Sequence, residues 1–297
     1  MPSLKSLISK SEKNRVAIGH FNVSDSVALK AVFTAAKELS VPVIIGTSEG
    51  EAGFLGRNMA AAMVGRLKKD NDYPIFLNSD HTHSLEEVRG AVEAGYDAII
   101  FDGSKLPFEE NVRQTKEAVE YIKSKSKKIL VEGELGYLGS SSQILRSVPS
   151  GAAVKTEDLT TPEEAARFVK ETGVDLLAPA VGNMHGILVR TNESGEMSRV
   201  KKHLNIERIA AIKKAVNVPL VLHGGSETAD DDFRRAIEAG ISVIHINTEI
   251  RWAWKNALEK SLAQNKDELA PYKLLNSSLE AVKSLVKSRL QLFNKLI

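Results

Sequence analysis

The stretch Pro74-Ile75-Phe76-Leu77-Asn78-Ser79-Asp80-His81-Thr82-His83-Ser84-Leu85-Glu86-Glu87 joins a short apolar run to a helix-start pattern. Residues 74–77 predict a buried strand. Ser84 followed three positions later by Glu87 is a capping-box pattern, which predicts a helix from Leu85 onward. Asp80 and His81 are therefore expected where a strand ends and a helix has not begun, the edge at which catalytic groups gather in barrels of alternating strands and helices.

Seven further apolar runs recur along the chain, and a helix pattern follows every run. The predicted strands cover residues 16–21, 41–46, 74–77, 98–101, 128–132, 176–180, 218–222 and 241–246. The predicted helices cover 26–40, 58–68, 85–94, 109–123, a helix capped by Thr161, 206–215, a helix from its cap at Thr228 to Gly240, and a helix from 249. Continuous apolar runs are typical of parallel strands that are buried on both faces. The pattern predicts a closed (β/α)8 TIM barrel in a single domain, residues 1–297, with an open doubly wound sheet as the alternative.

Three segments do not fit the repeat. Residues 136–158 are rich in Ser and Gly and predict a long mobile loop, and residues 190–202 predict a polar loop. Residues 275–297 have an amphipathic helix pattern, which predicts a C-terminal helical extension. This extension is expected either to close the bottom of the barrel or to pack on a second subunit.

Composition narrows the classes of function. The net charge is +2 without a basic stripe of interleaved aromatic residues, so nucleic acid is not a predicted partner. No apolar run approaches the roughly 20 residues of a membrane span, so we expect a cytoplasmic protein with no membrane partner. The chain has no cysteine, which excludes disulfides and thiolate chemistry and leaves His, Asp and Glu as metal ligands.

Polar residues at the ends of the predicted strands are expected to share one rim of the barrel. They are Asn22, Ser48, Glu49, Asp80, His81, Asp102, Glu134, Asn183, His185, His223, Ser226, His245, Asn247 and Thr248. Among them, His81, His185 and His223 supply three nitrogen ligands, and three protein ligands with one open position are typical of a catalytic zinc site. Asp80 is free to carry protons. Glu134 or Asp102 can complete the metal shell or hold a second cation.

The remaining histidines and the glycines have other expected roles. His20, His83 and His203 lack such support and are expected to be structural or solvated. Gly186 and the run Gly224-Gly225-Ser226 expose backbone N–H groups that can cradle a phosphate, and barrels often bind phosphate near strands seven and eight.

Motifs over most of the chain carry a family resemblance. They are Gly19-His20-Phe21-Asn22, residues 42–50, Ser79-Asp80-His81, Phe101-Asp102-Gly103-Ser104, residues 106–111, Glu132-Gly133-Glu134-Leu135-Gly136, Gly182-Asn183-Met184-His185-Gly186, Leu222-His223-Gly224-Gly225-Ser226 and Ile246-Asn247-Thr248-Glu249. In these motifs the sequence resembles the class II, metal-dependent ketose-bisphosphate aldolases, which include fructose- and tagatose-bisphosphate aldolases.

The resemblance implies roles for individual residues. His81, His185 and His223 match the zinc ligands, Glu134 matches a carboxylate at the metal, and Asp102 matches one near it. Asp80 matches the acid/base residue that exchanges a proton with the C4 hydroxyl of the substrate. The positions that match the family's phosphate site are Gly186, Gly224, Ser226, Asn247 and Thr248. Three further residues of the same rim are predicted to bind substrate: Asn22, Ser48 and Gly225. The resemblance also implies Zn²⁺, with a second divalent or monovalent cation as an option, and a homodimer or homotetramer.

Some positions depart from the family pattern. Residues 139–144 contain no carboxylate, so the acid that normally protonates the three-carbon enediolate is missing from this loop. His245 replaces a substrate-contacting asparagine; it either bonds the substrate and carries protons in place of the lost acid, or is a simple substitution of shape. Residues 187–189 replace a segment in which an aromatic residue and a lysine are common, and Glu227 replaces a small residue. The substrate, or a site for a potassium-type cation, is therefore expected to differ from that of the family.

The predicted function is the reversible cleavage of fructose 1,6-bisphosphate to dihydroxyacetone phosphate and glyceraldehyde 3-phosphate. Zinc can polarise the ketone and hold the resulting negative charge, while a carboxylate takes the hydroxyl proton. The alternatives are an aldolase for tagatose 1,6-bisphosphate or another phosphorylated ketose or keto-acid, and a protein that binds metal and phosphate without catalysis.

Overall fold

The computed structural model describes residues 1–139, 142–191 and 197–297. The strands are β1 (Ile18–Asn22), β2 (Val43–Ser48), β3 (Ile75–Thr82), β4 (Ala98–Phe101), β5 (Leu130–Leu135), β6 (Ile144–Leu145), β7 (Leu176–Pro179), β8 (Ile187–Thr191), β9 (Met197–Arg199), β10 (Leu220–Leu222) and β11 (Ile241–Ile246). The helices are α1 (Leu4–Lys13), α2 (Ser26–Leu39), α3 (Glu49–Leu55), α4 (Arg57–Asn71), α5 (Leu85–Ala94), α6 (Phe108–Lys125), α7 (Pro162–Thr172), α8 (Ile206–Ala215), α9 (Asp230–Ala239), α10 (Thr248–Gln264), α11 (Pro271–Leu274) and α12 (Asn276–Phe293).

Eight of these strands close into a parallel barrel, which confirms the predicted (β/α)8 fold. The order around the barrel is β1-β11-β10-β7-β5-β4-β3-β2. The pairing between β2 and β3 continues as far as Ser48 and Asp80, so β3 runs five residues past its predicted end at Leu77. Asp80 and His81 therefore lie in the last residues of the strand rather than after it.

Side-chain caps begin several of the outer helices as the sequence predicts. The Ser84 hydroxyl accepts from the Glu87 amide at the start of α5, and Thr161 and Glu164 form a reciprocal capping box at α7. The predicted cap at Thr228 is wrong, because α9 starts at Asp230 without a side-chain cap. The backbone of Thr228 is instead held in an isolated parallel bridge with Lys202.

Helix α1, which the sequence patterns did not reveal, fills the amino-terminal end of the barrel. Its Leu4 and Ile8 side chains are buried in an interior apolar cluster with Ile18, Ile44 and Phe76. The C-terminal helix is present as predicted. Of its two expected positions, packing on a second subunit stays a prediction, and closure of this end of the barrel is wrong. Helix α12 instead packs outside the barrel against α2, α9, α10 and β1, so it takes a place in the outer ring of helices.

Two of the predicted loops contain strands. Strand β6 pairs in parallel with β8, and β8 pairs antiparallel with β9, so a small sheet stands beside the barrel within residues 144–199. In the loop that lacks a carboxylate, residues 139–144, Ser140 and Ser141 lie outside the described residues. Within the described ranges, no helix combines the length and the apolar character needed to cross a membrane.

Candidate active site

Three histidines meet at the carboxyl end of the barrel, as the sequence predicts. His81 lies near the end of β3, His185 follows β7 and His223 follows β10. One ring nitrogen from each lies within 4.8 Å of one ring nitrogen of the other two. The backbone of His81 has a φ of 51°, and the register between β3 and β4 shifts at this point. This local irregularity aims the imidazole at the other two rings.

Each of the three imidazoles has one nitrogen held by an oxygen atom of the protein. His81 Nδ1 lies 2.8 Å from Asp102 Oδ2, and His223 Nε2 lies 2.6 Å from Glu132 Oε1. His185 Nδ1 lies 2.6 Å from the carbonyl oxygen of Gly139. An N–H that donates to such an acceptor fixes the orientation of the ring and leaves the opposite nitrogen to bind a cation, which is the usual outer-shell arrangement of metal-binding histidines.

The donor atoms between these rings fit a zinc ion. Glu134 Oε2 lies 3.1 Å from His223 Nδ1, the nitrogen of that ring that Glu132 does not hold. Both Glu134 Oε2 and His223 Nδ1 are buried without a hydrogen-bond partner among the described residues. Buried polar atoms normally have partners, so unpaired donors and acceptors at one point indicate a missing ligand. Three imidazoles and a carboxylate are a ligand set typical of zinc.

The surrounding carboxylates change the protonation of the ring nitrogens. Burial alone would lower the pKa of His223, but Glu132 and Glu134 raise it to about 10. Burial likewise opposes the charged form of His81, whose pKa is nevertheless raised well above its ordinary value by Asp80, Glu134 and Asp102. Burial and the charge of His81 lower the pKa of His185 to about 4. A metal that enters this site therefore displaces protons.

Asp80 is a buried carboxylate with one oxygen held and the other free. Asn22 Nδ2 donates to Asp80 Oδ2 at 2.8 Å and to Glu51 Oε2 at 2.8 Å. Asp80 Oδ1 has no hydrogen-bond partner in the described part of the chain. Burial would raise the pKa of Asp80, but the neighbouring His81, His245 and His20 hold it well below its ordinary value. The free oxygen is therefore ionised at neutral pH and can accept a proton.

His245 lies in a row of stacked imidazoles beside Asp80. Its ring is 3.5 Å from the ring of His20, with an angle of 3° between the planes, and 4.2 Å from the ring of His223. His245 Nδ1 lies 3.5 Å from Asp80 Oδ1. Burial, followed by the neighbouring His20 and His223, lowers the pKa of His245 well below its ordinary value. The ring is thus neutral and can both donate and accept hydrogen bonds.

The other histidines differ in environment. His20 is fully buried, and Asn78 Nδ2 lies 3.1 Å from its Nε2 atom, so it is a structural residue of the interior. His203 is exposed and pairs with Asp232. His83 is half-exposed and lines the cavity described next, which the sequence patterns did not indicate.

A cavity of about 430 Å³ lies above the three converging histidines. The predicted site residues that line it are Asn22, Ser48, Asp80, His81, Asp102, His185, Gly186, Gly224, Ser226, His245, Asn247 and Thr248. Gly225, Glu134 and His223 are not part of its wall. His223 and Glu134 lie beneath it with almost no exposed surface.

One side of the cavity has the features of an anion site. Helix α10 begins at Thr248, so its amino-terminal amides are directed at the cavity. The amide nitrogens of Gly224, Ser226 and Thr248 donate to no backbone carbonyl within the described ranges. A side chain at Gly224 would collide with the carbonyl oxygen of Met184, because an added Cβ would come within 2.5 Å of it. The close approach of these two loops thus requires glycine.

Three further residues of the site, Glu132, Lys105 and Arg251, were not among the predicted site residues. Glu132 lies two residues before Glu134 in β5, and strand alternation places both carboxylates in the barrel interior. Lys105 and Arg251 line the cavity as cations, and Arg251 is held by Glu51 at 2.6 Å. Arg251 lies in the first turn of α10, so its place beside the predicted phosphate residues was readable from the sequence.

Comparisons with known proteins agree with this geometry. Residues 2–296 match the family model for fructose-bisphosphate aldolase class II. The chain is 33% identical over 294 residues to a fructose-bisphosphate aldolase of Geobacillus stearothermophilus, covering 98% of this chain and 96% of that protein. It is 36% identical over 290 residues to a 6-phospho-5-dehydro-2-deoxy-D-gluconate aldolase of Shouchella clausii (strain KSM-K16), covering 97% and 92%. Among solved structures, the YdjI aldolase of Escherichia coli K12 is similar, with a TM-score of 0.78, 31% identity, and coverage of 98% and 96%.

Proposed function

We propose that this chain, which belongs to the class II fructose-bisphosphate aldolase family and is therefore a lyase, cleaves fructose 1,6-bisphosphate reversibly to dihydroxyacetone phosphate and glyceraldehyde 3-phosphate. The observation that carries the proposal is the convergence of three oriented imidazoles beside the free oxygen of Asp80, in a cavity with an anion site. The whole chain, residues 1–297, acts as one catalytic domain.

Zn²⁺ is the proposed cofactor, held by His81, His185 and His223 with Glu134 beside them. When bound, it polarises the ketone of the substrate and stabilises the negative charge that cleavage leaves on the three-carbon fragment. Asp102, Glu132 and the Gly139 carbonyl orient the three rings through their second nitrogens. In this proposal Asp102 supports a ligand and does not itself contact the zinc ion.

Asp80 is the proposed general base for cleavage. Its Oδ1 atom accepts the proton of the C4 hydroxyl as the C3–C4 bond breaks, and donates it back in the reverse direction. Asn22 holds the other carboxylate oxygen, so the free oxygen keeps its direction toward the cavity. Glu51 in turn accepts a hydrogen bond from the Asn22 amide and so keeps Asn22 in place.

His245 is the proposed second catalytic residue. Its neutral ring lines the cavity, and both ring nitrogens lack hydrogen-bond partners among the described residues. The 3.5 Å separation from Asp80 Oδ1 allows a proton to pass between the two side chains once they draw together around a substrate. This exchange supplies a proton for the three-carbon fragment where the loop at residues 139–144 offers no carboxylate.

The substrate phosphate next to the ketone is proposed to lie at the start of α10. Gly186, Gly224, Ser226, Asn247 and Thr248 form this phosphate cradle through backbone amides and hydroxyl or amide side chains. The predicted residue Gly225 supports the turn from behind, because it does not line the cavity and its amide donates to the His245 carbonyl at 3.1 Å. Ser48 lines the cavity nearer Asp80 and is proposed to bond a substrate hydroxyl.

The far end of the substrate is proposed to meet the two rim cations, Lys105 and Arg251. A guanidinium binds a phosphate or a carboxylate in the same bidentate geometry, so this end accepts either group. The similarity to a 6-phospho-5-dehydro-2-deoxy-D-gluconate aldolase therefore makes a phosphorylated keto-acid the second candidate substrate. Tagatose 1,6-bisphosphate is a further candidate, since a change of configuration at C4 alters only the direction of one hydroxyl.

A panel assay tests the proposal. Zinc-loaded protein is given fructose 1,6-bisphosphate, tagatose 1,6-bisphosphate and 6-phospho-5-dehydro-2-deoxygluconate, and the release of dihydroxyacetone phosphate is followed with a coupling enzyme. We expect the highest kcat/KM for fructose 1,6-bisphosphate, loss of activity with a chelator and recovery with Zn²⁺. The absence of chelator-sensitive cleavage of every substrate would refute the lyase proposal. Tight binding of dihydroxyacetone phosphate without exchange of its C3 proton would instead support a binding protein.

We also propose that the protein is a homodimer or homotetramer. Large apolar side chains are exposed on α3, on the segment between α10 and α11, and on α11, where Phe54 is 82%, Leu269 87% and Tyr272 76% accessible, respectively. Such exposed apolar groups are typical of subunit interfaces. Sedimentation equilibrium decides the question, and a mass of one chain at micromolar concentration would contradict the proposal.

A further inference from the structure

Lys202 is a buried lysine to which the proposed mechanism assigns no role. Its side chain is 7% exposed, and its Nζ atom donates to three backbone carbonyl oxygens. These are Met184 at 2.6 Å, Gly224 at 2.7 Å and Gly186 at 3.2 Å. Lys, Glu, Arg and Asp are almost never fully buried unless paired, so this lysine needs an explanation.

The three acceptors belong to the two loops that build the proposed site. Met184 and Gly186 flank the metal ligand His185, and Gly224 follows the metal ligand His223. The same two loops supply Gly186, Gly224 and Ser226 to the phosphate cradle. One ammonium thus joins the loops after β7 and β10 at the place where both approach the substrate.

The backbone around Lys202 holds the side chain in this position. The Lys202 amide donates to the Glu227 carbonyl at 2.8 Å, and the Ala229 amide donates to the Lys202 carbonyl at 3.1 Å. Nearby carboxylates are occupied by other cations: Glu227 pairs with Arg199 and Lys201, and Glu249 pairs with Arg289. The ammonium therefore keeps its carbonyl partners.

The number of acceptors favours the charged form of Lys202. An ammonium group has three N–H donors and a neutral amine has only two, so three converging carbonyls are all satisfied only by the ammonium. Burial lowers the pKa of Lys202 to about 7, while the charges of Glu249 and Glu227 raise it. A phosphate dianion in the adjacent cradle further favours the charge.

We propose that Lys202 is a built-in monovalent cation of the phosphate cradle, which fixes the two loops and favours the substrate phosphate without an exchangeable ion. Rings of backbone carbonyls that converge on one point are the usual protein ligands for K⁺, and an ammonium can occupy the same place. This role deepens the proposed function and rests on it for the identity of the phosphate ligand. Lys202 acts through the loops and is a positioning residue.

The first experiment measures whether the carbonyl cage is a cation site. The variant Lys202→Ala removes the ammonium and opens the cage, so we expect its melting temperature to rise by about 2 °C or more in KCl or NH₄Cl relative to tetramethylammonium chloride. The zinc-loaded unmutated protein is expected to show no such difference. The matched control is Lys213→Ala, because Lys213 also donates to a carbonyl, that of Val218, but lies away from the site. Equal melting of Lys202→Ala in all three salts would overturn the proposal.

The second experiment measures dihydroxyacetone phosphate binding to zinc-loaded protein by calorimetry. In tetramethylammonium chloride, Lys202→Ala should bind about 10- to 100-fold more weakly than the unmutated protein, and KCl should restore most of the loss. The unmutated protein should bind equally in both salts, and a K⁺ requirement there would refute the proposal even if the variant does not fold. The neutral variant Lys202→Met fills the cage, so its weakened binding should not be rescued by K⁺.

The two experiments separate this inference from the proposed lyase activity. Salt-dependent melting of Lys202→Ala without cleavage of any substrate would support the built-in cation while the aldolase proposal failed. Zinc-dependent cleavage by a Lys202→Ala protein that ignores K⁺ and retains full affinity would support the aldolase and eliminate the inference.

Discussion

At the amino-terminal end of the barrel, α1 buries Leu4 and Ile8 against Phe76, whereas the buried side chains at the carboxyl end include His223, Glu132 and other ionisable groups. The apolar end is filled by its own side chains. At the polar end, atoms such as His223 Nδ1 and Asp80 Oδ1 have no hydrogen-bond partner among the described residues. Each such buried atom costs about 1–3 kcal/mol of stability. The comparison indicates that the apolar end stabilises the fold, while the polar end carries unpaired atoms that the proposed metal and substrate would satisfy.

The largest effect is expected from His185→Ala, which removes a proposed zinc ligand from the polar end. Its truncation should lower cleavage activity by at least about 10³-fold, because the ketone loses its polarising cation. Zinc content measured by atomic emission should fall with the activity. The control is His203→Ala, since His203 is exposed, pairs with Asp232 and does not line the cavity. An active His185→Ala protein with full zinc content would break the assignment of the metal site.

Asp80→Asn is expected to lower kcat by about 10²- to 10⁴-fold while zinc content stays the same. The amide keeps the hydrogen-bonding shape of the side chain but cannot accept the hydroxyl proton. Steady-state kinetics with metal analysis separates this loss from a loss of zinc. Asp158→Asn serves as the control because that side chain is exposed on a surface turn. Unchanged kcat in Asp80→Asn would remove Asp80 from the proposed mechanism.

Ile8→Ala tests the apolar end and should lower the free energy of unfolding by about 2–5 kcal/mol through a cavity beneath the barrel. The kcat of the folded fraction should not change, because the cavity forms at the end opposite to the site. Urea denaturation gives the stability. Leu7→Ala on the same helix should have a smaller effect, since Leu7 is only partly buried. A loss of kcat in folded Ile8→Ala protein would show that the two ends are not independent.

The smallest effect is expected from Glu132→Gln, which weakens the acceptor that orients His223. Loss of a carboxylate partner from a metal-binding histidine typically lowers metal affinity by about 10- to 100-fold. Competition with a chelator of known affinity measures the change. Glu157→Gln, at an exposed position, is the matched control. Unaltered zinc affinity would mean that packing alone orients His223.

The sequence predicts much of this polar end and little of the apolar one. Apolar runs followed by helix caps gave the barrel, and the barrel places His81, His185 and His223 together because parallel strands end on one rim. Glu132 was not predicted as a site residue, because a carboxylate inside a predicted buried strand looks unfavourable until its hydrogen-bond partner is known. Lys202 was missed because its partners are backbone carbonyls, which leave no trace in side-chain patterns. Helix α1 was not predicted, because its few apolar residues become buried only when they pack against the closed barrel.

The outer position of α12 has a consequence for biosynthesis. The helix covers α2 and β1, and about 250 positions separate it from them along the chain. While a ribosome is still making the intervening strands, the flank of β1 has no cover and its apolar surface is open to chaperones or to other nascent chains. Completion of the ring is therefore expected to be a late event that follows synthesis of α12, and ribosome-stalled chains that lack this helix should be markedly more sensitive to protease.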